Sequence, residues 1–150
     1  MRRAIALALE GIDGNGGGPF GCVIVKNGEV VGEGHNHVTS ANDPTAHAEV
    51  VAIRDACQKL GTFQLDGCTI YTSCEPCPMC LGAIYWARPE KIFMACNRGD
   101  AAAAGFDDAF IYEEIGREPS ERFVPTKNIL REEALAVFEA WASKTDKVEY

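Results

Sequence analysis

The stretch Thr72-Ser73-Cys74-Glu75-Pro76-Cys77-Pro78-Met79-Cys80 sets three thiols at three-residue spacing where one periodicity gives way to another. Upstream, Cys68 to Ser73 is rich in β-favouring residues; downstream, Leu81 to Arg88 has helical spacing. Proline is at home in a first helical turn, so Pro76 predicts a helix opening there. Cys77 and Cys80 then fall in the first turns, three apart on one face, where two thiolates can reach one ion. The positive end of the helix dipole favours the thiolate form.

Working outward, the complement to that pair lies upstream in Pro44-Thr45-Ala46-His47-Ala48-Glu49. Asp43 and Pro44 read as the cap and first turn of a second amphipathic helix, along which Val50, Ile53, Cys57 and Leu60 recur on the core side. His47 and Glu49 sit near its start, where both side chains can lean over the helix end. One imidazole and two thiolates supply three zinc ligands and leave the fourth tetrahedral position to water, the design of a catalytic zinc. Glu49 would stand beside that water. His-x-Glu with Pro-Cys-x-x-Cys is the signature of zinc deaminases, in which the glutamate is a general acid/base and not a ligand. The competing reading closes the shell with Cys74 and makes His47, Cys74, Cys77 and Cys80 a structural zinc module.

Around these two segments, the run Ala4 to Leu9 reads as a first helix and Gly14 to Gly18 as a flexible loop. That loop lacks the Lys-Ser/Thr of a phosphate-binding loop. Cys22 to Val25 and Glu29 to Gly32 form a hairpin turned at Asn27-Gly28, and the first of its strands is apolar throughout, as in a sheet covered on both faces. His35 and His37 close the second strand facing the same side, a rival but incomplete metal pair. Asn36 between them carries an amide able to donate and accept at a heterocycle edge. Lys91 to Cys96 is another strand, so strands and helices alternate as in a layered α/β domain. Asp107 and Asp108 read as a solvated cap for a helix near Ala109. Glu132 to Lys144 reads as a last helix with Leu135, Phe138 and Trp141 on one stripe, and the residues after it as a polar tail.

Composition narrows the function further. At 150 residues the chain is of single-domain size. A net charge of -8 argues against a phosphate-binding surface, hence against nucleic acid as partner, and favours a small neutral or cationic substrate. Seven cysteines, three of them in one metal-like motif, suit a reducing cytoplasm better than a disulfide framework. No stretch is long and apolar enough to span a bilayer, so no membrane partner is expected.

Asn42 to Glu49 together with Tyr71 to Ala87, Gly105-Phe106-Asp107-Asp108 and Tyr150 resemble the bacterial guanine deaminases of the cytidine-deaminase-like superfamily, over nearly the whole chain. The resemblance implies a three-layer α/β/α fold with a mixed five-stranded sheet, one domain over residues 1–150, and one zinc ion on His47, Cys77 and Cys80. It implies Glu49 as proton shuttle and Asp108 as a second proton carrier. By the same likeness Asn36 and the backbone of Ala48 hydrogen-bond a purine base, Phe20 stacks on it, and Trp86 walls the pocket. It further implies a homodimer that swaps a C-terminal segment of about residues 130–150, setting Tyr150 over the neighbour's site. The activity implied is hydrolysis of guanine to xanthine and ammonia; the same zinc kit also serves deaminases of cytosine, cytidine or tRNA adenosine.

Overall fold

The computed structural model describes every residue from Met1 to Tyr150. In chain order it contains α1 (Arg2–Asp13), β1 (Gly21–Lys26), β2 (Glu29–His35), α2 (Val38–Ala41), α3 (Ala48–Leu60), β3 (Cys68–Cys74), α4 (Pro78–Ala87), β4 (Lys91–Cys96), α5 (Arg98–Ala103), α6 (Ala109–Ile115) and α7 (Arg131–Ser143), with a single 3-10 turn at Pro119–Glu121. By internal packing these divide into two compact units, Met1–Asp108 and Ala109–Tyr150.

In the first unit the strands lie in the order β2-β1-β3-β4. The hairpin pairs β1 antiparallel with β2 through the expected turn, where Asn27 and Gly28 both take positive φ. β3 pairs antiparallel with β1 and parallel with β4, a connection that requires a crossover, supplied by α4. The sheet is mixed, as expected, but it has four strands and not five. After β4 the chain is committed to helix at once: Asn97 and Asp100 form a reciprocal capping box, and the alanine-rich α5 follows. Residues 122–130, which include Pro125 with no N–H to donate, contribute no strand, so β4 remains an edge.

The apolar character of β1 is explained by cover on both faces. Val23 packs with Ala4 and Leu7 of α1, while Cys22 and Ile24 join Ile70, Ala48, Ala52 and Ala56 in the main core with α3. α3 reaches the sheet closely because β2 offers it glycines. A Cβ on Gly34 would stand 2.5 Å from the Ala48 carbonyl oxygen and 2.7 Å from the Ala52 nitrogen. That contact seats the start of α3, where His47 and Glu49 lie. Gly34→Ala is therefore expected to destabilise the fold by about 1–3 kcal/mol, the usual cost of overpacking, read as a lower midpoint in chemical denaturation.

In the second unit α7 has the expected boundaries within a residue, but of its expected apolar stripe only Leu135 is half-buried, while Phe138 is 70% exposed and Trp141 41%. No helix of the protein is long and apolar enough to cross a membrane.

Candidate metal centre and active site

Two helix openings supply the site. α3 begins at Ala48, not at Asp43-Pro44 as the sequence suggests, because Asp43 is engaged in a tighter turn. Its Oδ1 accepts from the Thr45 backbone N–H at 2.8 Å and the Thr45 hydroxyl at 2.7 Å. This leaves His47 as the N-cap, extended at φ -71 and ψ 154, with Ala48 and Glu49 in the first turn. The second opening shifts likewise. Cys77 is the N-cap of α4 and Pro78, not Pro76, occupies the first-turn position, so Cys80 lies on the third helical residue.

The two openings meet. His47 Nδ1 is 3.5 Å from Cys77 Sγ and 3.5 Å from Cys80 Sγ, and the three donor atoms lie within 4.8 Å of one another. Donors at about 2.0 and 2.3 Å from one tetrahedral zinc would be about 3.5 Å apart, so the spacing fits that ion. The electrostatics fit as well. The hydrogen bond with Cys80, helped by His47, brings the Cys77 thiol down to about 4. Cys80 is pushed up by the same bond and by burial, and Cys77 in turn raises His47.

Cys74 does not join them. It lies at the end of β3 and its thiol donates to the Asn97 carbonyl at 3.4 Å, with burial raising it to about 11. A fourth protein ligand from this cysteine, as a closed structural module requires, is not what the fold offers. His35 and His37 face each other with ring centroids 4.0 Å apart, but no third donor gathers around them.

Glu49 is buried at 5% exposure, and its Oε1 accepts from the Thr72 hydroxyl at 2.7 Å. It stands two residues after His47, in the first turn of the same helix. Asp108 is partly buried; that burial, and then the nearby Cys77, raise its carboxyl above the usual range. Asn36 is buried with its orientation settled. Its Oδ1 accepts from the Gly18 N–H at 3.2 Å and the Val38 N–H at 3.1 Å, so its Nδ2 is the free donor end. The backbone ties this loop to the metal helix, since Asn36 donates to the Phe20 carbonyl and His37 to that of Ala46. Phe20 meets Phe106 edge to face at 5.0 Å. Ala48 has a first-turn N–H, which no helical carbonyl can satisfy.

Two further expected site residues are exposed in the single chain, Trp86 on α4 at 64% and Tyr150 at 69%. Thr72 and Phe106 were not singled out from sequence as site residues. For Thr72 the available signal is a hydroxyl at an inward position of β3, between Ile70 and Cys74.

A mixed sheet carrying a His/Cys/Cys donor set on two helix openings, with a buried glutamate beside it, defines a zinc-dependent hydrolytic deaminase. Residues 1–96 match the family model described as the cytidine and deoxycytidylate deaminase zinc-binding region, and the chain belongs to that family. Within it, the chain is 57% identical to the guanine deaminase of Bacillus subtilis (strain 168) over 150 residues, spanning all of this chain and 96% of the relative. The X-ray structure of guanine deaminase from Bacillus subtilis superposes with a TM-score of 0.97 at 58% identity, over 99% of this chain and 95% of that one. A tRNA-specific adenosine deaminase of Aquifex aeolicus (strain VF5) is 47% identical over 77 residues, 51% of each chain.

Proposed function

We propose that this protein hydrolyses guanine to xanthine and ammonia, as one zinc-dependent deaminase domain over residues 1–150. The observation that carries the reading is the three-donor group of His47, Cys77 and Cys80 beside the Glu49 carboxylate, in a chain similar end to end to a guanine deaminase. His47, Cys77 and Cys80 would hold the zinc, which when bound would supply Lewis acidity and lower the pKa of a water toward about 7. Glu49 is placed to take a proton from the attacking water and pass it to a ring nitrogen, which would make the amino-bearing C2 electrophilic as the water oxygen bonds to it; the water's second proton would balance the one delivered to the amino group as its C–N bond breaks and ammonia leaves. Asn36 offers its Nδ2 as a donor to an acceptor on the base, and the Ala48 N–H offers a second. Phe20, braced by Phe106, stacks on the ring, and Trp86 walls the pocket. Asp108, with its carboxyl raised, holds a proton to hand to the departing amine.

The test is ammonia release from a panel of guanine, cytosine, cytidine and adenine. Guanine should dominate; a larger kcat/KM on any other ring would overturn the assignment while leaving the deaminase chemistry standing. The net charge of -8 supports a free base over tRNA as substrate. All seven cysteines are unpaired thiols, which suits a cytoplasmic setting.

The same reading includes a homodimer that exchanges the segment from about residue 130 onward, with Tyr150 closing over the neighbour's site. The exposed apolar side chains of Val137, Phe138 and Val148 support it. Removal of Val148 to Tyr150 is expected to lower kcat/KM for guanine while leaving zinc content intact. Undiminished catalysis in the truncated protein would reduce this segment to a simple tail.

A further inference from the structure

The Glu49 carboxylate is held by a group that the chemistry above does not employ. Thr72 is fully buried, and its Oγ1 donates to Glu49 Oε1 at 2.7 Å. It stands on β3, in register with Cys22 of β1 and two residues from Ile70, both members of the apolar core that includes Ala48 and Ala52. In such a layer valine would fill the same space without bringing a polar atom. A buried hydroxyl with no partner is destabilising, so the threonine is tolerated here through its bond to the carboxylate.

The consequence is geometric. A glutamate in the first turn of a helix has three side-chain torsions, and burial alone does not settle the plane of its carboxyl group. A donor mounted on a central strand settles it, because β3 is paired on both sides, with β1 and with β4. We infer that Thr72 is a positioning residue for deamination, its hydroxyl pinning one carboxylate oxygen of Glu49 so that the other is presented toward the His47–Cys77–Cys80 group. The inference rests on the reading of Glu49 as the proton carrier. Misplacing a reacting group by an ångström can cost on the order of 100-fold in rate.

The test compares zinc-loaded full-length Thr72→Val and Thr72→Ser proteins by steady-state ammonia release from guanine. Thr72→Val should lose roughly 10- to 100-fold in kcat with KM and zinc content unchanged. Thr72→Ser, which restores the hydroxyl, should recover most of the loss. In a Glu49→Gln background the valine substitution should add little. Wild-type kcat in Thr72→Val overturns the inference, as does an equal loss in the valine and serine proteins, or a change confined to KM. If the valine protein does not fold, Thr72→Cys keeps the volume with a weaker donor and should fall below Thr72→Ser in kcat; equality or excess overturns the inference. A fully active Glu49→Gln protein would instead sink the underlying role of the glutamate. An inactive Glu49→Gln protein beside a fully active Thr72→Val protein would sink the positioning role alone.

Discussion

Glu49→Gln is expected to leave the protein folded and zinc-loaded while lowering kcat roughly 10²- to 10⁴-fold, the range for loss of a general acid–base group. The substitution preserves shape, and the amide oxygen can still accept from Thr72, so the wall between α3 and β3 is maintained. On the proposed mechanism, what is lost is the capacity to take a proton from water and return it to the ring. The atoms grouped to hold a metal are His47 Nδ1 and the two sulfurs, none of which the substitution touches. Metal content by atomic absorption and ammonia release measured on one preparation separate the two consequences. Unimpaired turnover at full zinc occupancy would mean that the proton travels by another residue, of which Asp108 is the first to test.

Substitution of Cys80 by serine should be the more damaging change. Cys80 is fully buried on the first turn of α4, and removing its sulfur leaves two donors where three lay within 4.8 Å. A hydroxyl is a poor replacement for thiolate toward zinc. Zinc should fall to background levels, deaminase activity should vanish with it, and the melting temperature should drop, because a metal that binds only the folded state stabilises it by mass action. Cys74→Ser is the matched control. That thiol donates to the Asn97 carbonyl, a bond a hydroxyl can keep, so metal and activity should both survive. Loss of zinc from the Cys74→Ser protein would restore the closed four-ligand module and remove the open coordination position on which hydrolysis depends.

The proteolytic and chelation behaviour of the wild-type protein should follow the same pattern, since the ligand group joins α3 to α4. Both helices carry the core of the first unit through Ala48, Ala52, Ala56, Ile84 and Ala87. Chelation is therefore expected to loosen a junction between structural elements as well as the candidate site, read as faster proteolysis.

Much of the arrangement was legible in local patterns. The hairpin at Asn27-Gly28 is visible because left-handed backbone is a property of the turn residues themselves. The His47, Cys77 and Cys80 donor set is visible because ligands at the openings of helices obey short-range spacing, and a shift of the helix start by a few residues leaves them together. The helix starts themselves lie a few residues later than local signals place them. A proline or a cap residue marks a turn as well as a helix, and only the hydrogen bonds of Asp43 with Thr45 decide between them.

What the sequence determined by itself is the chemistry of the site: which atoms can hold zinc, which carboxylate lies beside them, and that β1 is covered on both faces. What only the tertiary structure decided is everything that depends on a neighbour far along the chain. Cys74 is diverted from the metal by a carbonyl 23 residues away, and Glu49 is oriented by a hydroxyl 23 residues away. Asn36 is turned donor-outward by the Gly18 N–H across the loop as well as by that of Val38 nearby, and the sheet stops at four strands where α5 begins. The division follows from the range of the forces involved. Spacing and backbone preference act over a few residues, whereas the partner that satisfies a buried polar atom is chosen by packing.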